Sequence, residues 1–224
     1  KVIDEMREQG VEPTFFKLVY DDHEINTIYV GDIDKKRLLF IHGSPGDWTA
    51  WSGFLTDSLL LEDYLMVSYD RAGFGETTME AKENLAEHGE TAAAVMHQFG
   101  NGGKWIVVGH SYGGAVAGYL MATYPDQIEK VVFAAPAISP DHQEPRWYNK
   151  LARMKLINWI VGKDMRASNV EMIGLSESLR ALEPEYTNNT VPHVFIHGNK
   201  DVLVPYQTVD YWRSLQLKGT TFVI

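Results

Sequence analysis

The sequence predicts an α/β fold with a mostly parallel sheet, an antiparallel hairpin at its start and one helical insertion. Three observations support this prediction. Short apolar runs of strand length recur along the 224 residues, as in sheets that are buried on both faces. Segments with apolar residues at helical spacing lie between these runs. The alternation is interrupted once, over residues 138–190, and the rest of the chain is long enough to bury one core.

The first elements are a short helix and a hairpin. Residues 1–10 are charged and predict the helix. Two strand-like segments, Phe15–Tyr20 and Glu24–Val30, flank the turn Asp21-Asp22-His23. Because polar turn residues between two β-rich runs are typical of a hairpin, we expect these strands to pair antiparallel.

Six continuous apolar runs then predict strands that are buried on both faces. They are Arg37–Ile41, Leu65–Tyr69, Trp105–Val108, Val131–Ala135, His193–Ile196 and Thr221–Ile224. Helical spacing over Trp48–Leu60, Leu85–Phe99 and Val116–Thr123 fills the intervals between the early runs. Alternation of this kind predicts parallel strands joined by right-handed crossovers.

Residues 138–190 break this rhythm and carry two amphipathic segments. The apolar positions of the two segments are Trp147, Leu151 and Met154, and Met172, Leu175, Leu179 and Leu182. We interpret residues 138–190 as a helical lid over the carboxyl ends of the strands, where open α/β sheets bind ligands. Residues 1–137 and 191–224 would form the core. For any single residue of the lid, ordinary core packing describes the same pattern equally well.

Composition limits the class of partner. The chain has 20 Lys and Arg against 30 Asp and Glu, and its net charge of -10 disfavours nucleic acid and anionic membrane surfaces. A small neutral or apolar molecule fits better. The absence of cysteine excludes disulfides, thiolate nucleophiles and cysteine-ligated metals. No apolar run approaches the ~20 residues that span a bilayer; the compartment, the oligomeric state and what precedes Lys1 stay open.

The most informative motif runs from Gly109 to Gly114, directly after the apolar run Trp105–Val108 and before a helical segment. A serine at such a strand end is exposed only if the chain turns through a strained angle, which leaves no room for side chains two residues away. Glycine occupies both of those positions. The motif predicts a nucleophile elbow, with Ser111 as nucleophile and the N–H of Tyr112 as oxyanion donor. A glycine-rich turn with an idle serine is the alternative for the motif alone.

The loop His42-Gly43-Ser44-Pro45-Gly46 follows the first predicted parallel strand. We expect the N–H of Ser44 to be the second donor of an oxyanion hole, with His42 and Gly43 shaping the same site. Alone, this loop describes an ordinary strand-to-helix turn. The elbow favours a functional interpretation, because loops that follow neighbouring parallel strands converge at one edge of the sheet.

Two further loops complete the pattern. His197-Gly198-Asn199-Lys200-Asp201 ends the penultimate strand, and Asp201 is placed to orient a histidine, as the acid of a serine triad does. A polar turn with an idle aspartate is the alternative. We interpret the turn Asp70–Gly75 as a brace between loops without chemistry of its own, and Phe74 as a residue that can face the pocket.

Taken in chain order, these four motifs resemble those of the α/β-hydrolase superfamily, in its lidded esterase and lipase-like branch. The resemblance covers essentially the whole chain. The resemblance implies that Ser111 is the nucleophile, that Asp201 is the acid, and that Ser44 and Tyr112 supply the backbone donors. Relatives with aspartate at the elbow hydrolyse epoxides or carbon–halogen bonds. Serine implies cleavage of an ester, thioester, amide or carbon–carbon bond, without a metal or an organic cofactor.

In the family, the catalytic histidine follows the last strand, and the sequence stops at Ile224 within that predicted strand. We interpret all eight histidines as structural or solvated, since a base must lie within ~3 Å of the serine oxygen. We therefore expect a fragment whose natural chain continues with a loop carrying histidine and a closing helix.

Together these features lead to the hypothesis of a serine hydrolase that cleaves a carboxylic ester or thioester through an acyl-enzyme. An aminopeptidase or a carbon–carbon bond hydrolase on the same fold stays open. So does a hydrolase-like binding protein without turnover.

Overall fold

An eight-stranded mixed sheet forms the centre of the computed structural model, which describes residues 1–100, 102–142 and 162–224. The strands are β1 Thr14–Tyr20, β2 His23–Val30, β3 Lys36–Ile41, β4 Tyr64–Tyr69, β5 Trp105–His110, β6 Ile128–Ala134, β7 His193–Ile196 and β8 Thr220–Val223. Their order in the sheet is β1-β2-β4-β3-β5-β6-β7-β8. β1 pairs antiparallel with β2, and β2 with β4, whereas all other neighbours are parallel. The predicted fold class and the N-terminal hairpin are confirmed.

Helices flank the sheet. Within the described ranges they are α1 Val2–Glu8, α2 Ser52–Leu55, α3 Ser58–Asp63, α4 Leu85–Gln98, α5 Tyr112–Thr123, α6 Lys163–Thr187 and α7 Gln207–Ser214. Short 3-10 turns lie at Trp48–Trp51, Pro125–Gln127 and Pro140–His142. α7 was not predicted, because its buried positions Thr208, Val209 and Trp212 are too few for a clear helical period.

The helical stretch predicted over Trp48–Leu60 is present in the structure as three short pieces. The structure divides this stretch into a 3-10 turn, α2 and α3, because two side chains cap separate starts. The carboxylate of Asp47 accepts the N–H of Thr49 at the first start, and the carboxylate of Asp57 accepts the N–H of Leu59 and Leu60 at the second. An aspartate that accepts these N–H groups begins a new helix rather than continuing the old one.

The two faces of the sheet are covered by two apolar clusters. Because side chains alternate along a strand, Leu39 and Ile41 of β3 point to one cluster, and Leu38 and Phe40 point to the other. The first cluster includes residues of α4, α5, α6 and α7, and the second includes residues of α1 and α2. β3 and β4 are thus buried on both faces, as their continuous apolar runs predicted, whereas β5 alternates between buried and half-buried residues.

Burial on both faces fails for the last strand. Val223 and Ile224 are 51% and 50% exposed, and Ile196 at the end of β7 is 41% exposed. β8 lies at the edge of the sheet, and its residues alternate between intermediate and exposed. An apolar run does not distinguish a central strand from an edge strand, because its spacing carries no information on neighbours.

The second amphipathic segment of the insertion forms the helix α6, which packs against α4 and α5. Leu175, Leu179 and Tyr186 of α6 belong to the same apolar cluster as the helices beneath it. The first segment, with Trp147, Leu151 and Met154, lies outside the described residues. The division into a core and a lid over residues 138–190 stays a prediction. In the part of the chain that the structure describes, no helix is long and apolar enough to cross a membrane.

We predict that Leu39→Ala lowers the free energy of unfolding by about 2–5 kcal/mol, because it leaves a cavity in a fully buried central strand. The matched variant Leu59→Ala, at a side chain that is 72% exposed, should change it by less than about 0.5 kcal/mol. Chemical denaturation measures both values. Equal losses for the two variants would contradict the burial pattern.

Candidate active site

The predicted elbow lies between β5 and α5, and Ser111 is its turning point. Its backbone angles are φ 52° and ψ −120°, a strained region for a residue with a side chain. Three backbone hydrogen bonds hold it there. The N–H of Ser111 donates to the carbonyl of Ala134 over 3.1 Å, and the carbonyl of Ser111 accepts the N–H groups of Gly114 and Ala137, each over 2.9 Å.

Glycine is required on both sides of Ser111. A Cβ atom on Gly109 would lie 2.2 Å from the carbonyl oxygen of Gly113, and one on Gly113 would lie 2.2 Å from the carbonyl oxygen of Ile41. Both neighbours are backbone atoms, which cannot rotate away. The glycines at these two positions predicted this lack of space, and the geometry confirms it.

The loop after β3 lies directly against the elbow. β3 and β5 are parallel neighbours, with Ile41 opposite Gly109. A Cβ atom on Gly43 would lie 3.0 Å from the Cβ of Ser111, so the backbone at Gly43 packs on the serine. Tyr112 is the first residue of α5, and its N–H therefore has no partner within the helix. The structure thus brings the predicted residues of the two loops together.

His42 uses both ring nitrogens inside the protein. Its Nε2 accepts the backbone N–H of Arg71 over 3.0 Å, which leaves the proton on Nδ1, and Nδ1 donates to the carbonyl of Gly43 over 2.7 Å. Burial, with a further contribution from the charge of Arg71, holds the pKa of His42 well below its usual value. The ring is a neutral support of the loop.

Beneath this loop lies a buried ion pair that the sequence analysis did not predict. The guanidinium of Arg71 donates to the carboxylate of Glu171 through Nη1 over 2.5 Å and through Nη2 over 3.2 Å. Neither side chain is exposed. Burial raises the pKa of Glu171, and the charge of Arg71 opposes this shift. The local signal for Glu171 was its spacing, since it precedes the buried Leu175 by one helical turn on α6.

The turn that begins with Asp70 connects three segments, as its interpretation as a brace anticipated. The carboxylate of Asp70 accepts the side-chain amide of Asn26 and the backbone N–H groups of Trp48 and Glu76 over 2.8–3.0 Å. Phe74 is fully buried, and its ring lies 4.9 Å from the guanidinium of Arg71. It packs in the interior, so the expectation that Phe74 faces the pocket is wrong.

Asp201 lies in the loop after β7. Since β5, β6 and β7 are parallel, this loop and the elbow both follow the carboxyl ends of their strands. The carboxylate of Asp201 accepts the N–H groups of Leu203 and Val204 over 2.8 and 3.0 Å, and the ring of His197 donates to the carbonyl of Val204 over 3.0 Å. These bonds fix the loop. Partial burial lowers the pKa of His110, and the negative charge of Asp201 opposes this shift, which indicates that Asp201 is near the elbow.

All eight histidines lie in the described residues, and none is hydrogen-bonded to the hydroxyl of Ser111. Four are buried among protein partners, namely His42, His88, His193 and His197. Across residues 1–100, 102–142 and 162–224, no cluster of His, Asp and Glu is suited to hold a metal ion. A cleft of about 840 Å³ lies between the loop of residues 73–83 and the start of α6, and Ser111 is not among its lining residues.

We predict that Gly113→Ala lowers the free energy of unfolding by about 3 kcal/mol or more, because the new methyl group meets the Ile41 carbonyl. Gly53→Ala is the control. It introduces the same atom in α2, where nothing lies within 4 Å, and should stabilise the protein by about 0.5–1 kcal/mol. Thermal and urea unfolding test the pair, and a harmless Gly113→Ala would refute the steric argument.

His88 makes stability depend on pH. Burial lowers its pKa from 6.5 to about 3, so between these values the unfolded chain binds a proton that the folded chain does not. The free energy of unfolding therefore decreases as the pH falls below 6.5. We predict that His88→Gln reduces this dependence by about 1.4 kcal/mol per pH unit near pH ~5. Urea titrations at several pH values measure it, with the exposed His97→Gln on the same helix as control. Equal slopes for both variants would contradict the prediction.

Comparison with known proteins agrees with this geometry. A family profile described as "alpha/beta hydrolase fold" matches residues 36–156, which is more than half of the chain. "Putative methylesterase 11, chloroplastic" of Arabidopsis thaliana is 30% identical over 119 residues, which cover 52% of this chain and 30% of that protein. Lipase LipV of Mycobacterium tuberculosis is 32% identical over 110 residues, which cover 49% and 41%. The chain spans less than half the length of these curated relatives.

Among solved structures, the 2-hydroxy-6-oxo-6-phenylhexa-2,4-dienoate hydrolase from Rhodococcus sp. strain RHA1 is similar to this chain with a TM-score of 0.74. The similarity covers 95% of this chain and 90% of that chain at 19% sequence identity. At that identity it shows the fold alone. The family profile, the strand order and the arrangement of the elbow support the same assignment: the chain belongs to the α/β-hydrolase fold family.

Proposed function

We propose that the protein is a serine hydrolase that cleaves a carboxylic ester or thioester of a small, neutral or apolar substrate through an acyl-enzyme. One observation carries this proposal. Ser111 is held in a strained conformation at a strand end, with φ 52°, and Gly43 packs so close to it that a Cβ atom on Gly43 would lie 3.0 Å from the Cβ of Ser111. Strain of this kind persists only where the surrounding structure enforces it, and it is concentrated at functional sites.

The proposed reaction has two halves. The hydroxyl of Ser111 attacks the carbonyl carbon of the substrate as its proton passes to a histidine that Asp201 orients. The oxyanion is stabilised by the N–H groups of Ser44 and Tyr112, and the alcohol or thiol leaves with the proton. Water then attacks the acyl-enzyme by the same route and releases the acid. In the α/β-hydrolase family, this histidine follows the last strand of the sheet.

Two further points support an ester-like substrate. Serine at the elbow supplies a nucleophile for acyl transfer, and the relatives reported above carry the names "Putative methylesterase 11, chloroplastic" and "Lipase LipV". The net charge of -10 disfavours anionic polymers as substrates. The scheme needs neither a metal nor an organic cofactor.

A second candidate is a hydrolase-like binding protein that does not turn over its ligand. The observation that favours it is that no histidine of the described chain bonds to the Ser111 hydroxyl. A pocket and an elbow are then retained for binding, and the hydroxyl stays unactivated. Aminopeptidase and carbon–carbon hydrolase activities differ from the main proposal only in the substrate.

The decisive experiment is labelling of the natural full-length protein with a fluorophosphonate, which reacts with activated serines. We expect Ser111→Ala to abolish labelling and to lower ester hydrolysis by at least about 10³-fold, because the nucleophile is lost. Ser58→Ala, at an exposed serine of α3, should leave both unchanged.

Absence of labelling in the folded wild-type protein would exclude the catalytic proposal and favour the binding protein. If labelling occurs, comparison of aryl esters, long-chain esters, amino-acid amides and diketones assigns the substrate class. Faster turnover of amides or diketones than of either ester type would overturn the ester assignment and leave the serine mechanism standing.

A further inference from the structure

The peptide between Gly43 and Ser44 is held from one side by two donors. The carbonyl oxygen of Gly43 accepts Nη2–H of Arg71 over 2.9 Å and Nδ1–H of His42 over 2.7 Å. The preceding carbonyl, that of His42, accepts Nε–H of Arg71 over 3.0 Å. One guanidinium therefore fixes two successive carbonyl groups of the loop that packs on Ser111.

Fixing this carbonyl also fixes the amide that follows it. A trans peptide is planar, and its C=O and N–H point to opposite sides. Because the carbonyl of Gly43 points toward Arg71, the N–H of Ser44 points away from the guanidinium. Loss of the bond to Arg71 would free this peptide to rotate. Rotation would turn the N–H of Ser44 away from the position in which it can donate to the oxyanion.

The orientation of Arg71 depends in turn on Glu171. The carboxylate of Glu171 accepts from both terminal nitrogens of the guanidinium, and such a forked pair sets the plane of the group. The N–H groups of the guanidinium that do not bind Glu171 lie in the same plane. They donate to the carbonyls of His42 and Gly43. The face of the guanidinium stacks 4.6 Å from the ring of Tyr112, the residue that follows Ser111. One buried ion pair thus contacts both loops of the candidate site.

We propose that Glu171 is a positioning residue for the hydrolysis proposed above, acting through Arg71 to hold the Ser44 N–H toward the oxyanion. This inference rests on the proposed function. Glu171 lies on α6, 100 residues from Arg71, within the segment interpreted as a lid. Its carboxylate has no direct contact with the reacting atoms, and its effect is transmitted by the peptide that it orients.

The test uses Glu171→Gln and the matched variant Glu177→Gln, at an exposed position of the same helix. Glutamine keeps one acceptor oxygen but loses the charge and the forked geometry. We expect Glu171→Gln to lower kcat per fluorophosphonate-titrated site by about 10-fold or more, approaching the 10²–10³-fold loss known for removal of an oxyanion donor. KM should change by less than about 3-fold, because the affected bond forms in the transition state. Glu177→Gln should match the wild type in both.

Counting only titrated sites separates positioning from folding. A merely structural role predicts a lower melting temperature, fewer titrated sites and an unchanged kcat per site, and this result would overturn the proposal. If Glu171→Gln does not fold, Glu171→Asp keeps the charge with a shorter reach, and an unchanged kcat per site in that variant would equally overturn it. If the wild-type protein neither labels nor hydrolyses esters, the proposed function fails, and this inference fails with it. Wild-type activity with an unaffected Glu171→Gln variant refutes the inference alone.

Discussion

The buried pair of Arg71 and Glu171 is the interaction on which the arrangement of the loops depends. Two opposite charges without exposure to water are tolerated only when they are paired and their remaining hydrogen-bonding groups are satisfied. The donors of Arg71 that are left over satisfy the carbonyls of His42 and Gly43. The same requirement that makes the charges compatible with burial therefore ties the loop after β3 to α6.

Strain at Ser111 is sustained by a second set of constraints. The bonds to Ala134, Gly114 and Ala137 occupy the backbone groups of the serine, and the absence of side chains at Gly109 and Gly113 allows the neighbouring backbones to approach. A conformation that is unfavourable by itself persists because the sheet and α5 leave no alternative path. The side chain of Ser111 is thereby turned out of the strand, as the proposed nucleophilic role requires. The packing that stabilises the core therefore also holds Ser111 in its half-buried, turned-out position.

Much of the fold could be predicted from local patterns. The continuous apolar runs identified the central parallel strands, and the polar turn after Tyr20 identified the hairpin. Glycine at 109 and 113 identified the elbow, because the need for a missing side chain is a local property. Local patterns left unspecified what depended on a cap or on a neighbour. Asp57 divides the predicted helical stretch because it starts a new helix, and β8 is half exposed because of its place at the edge.

By itself, the sequence determined the fold class, the position of the elbow, the loops that converge on it and the order of Ser111 and Asp201. These follow from spacing and from the conformational freedom of glycine, which act over a few residues. Only the tertiary structure decided that Glu171 reaches Arg71 across 100 positions, that Phe74 packs inward, and that His42 is a neutral support. The physical reason is that burial and charge pairing depend on which faces meet, and residue spacing along the chain does not specify those faces.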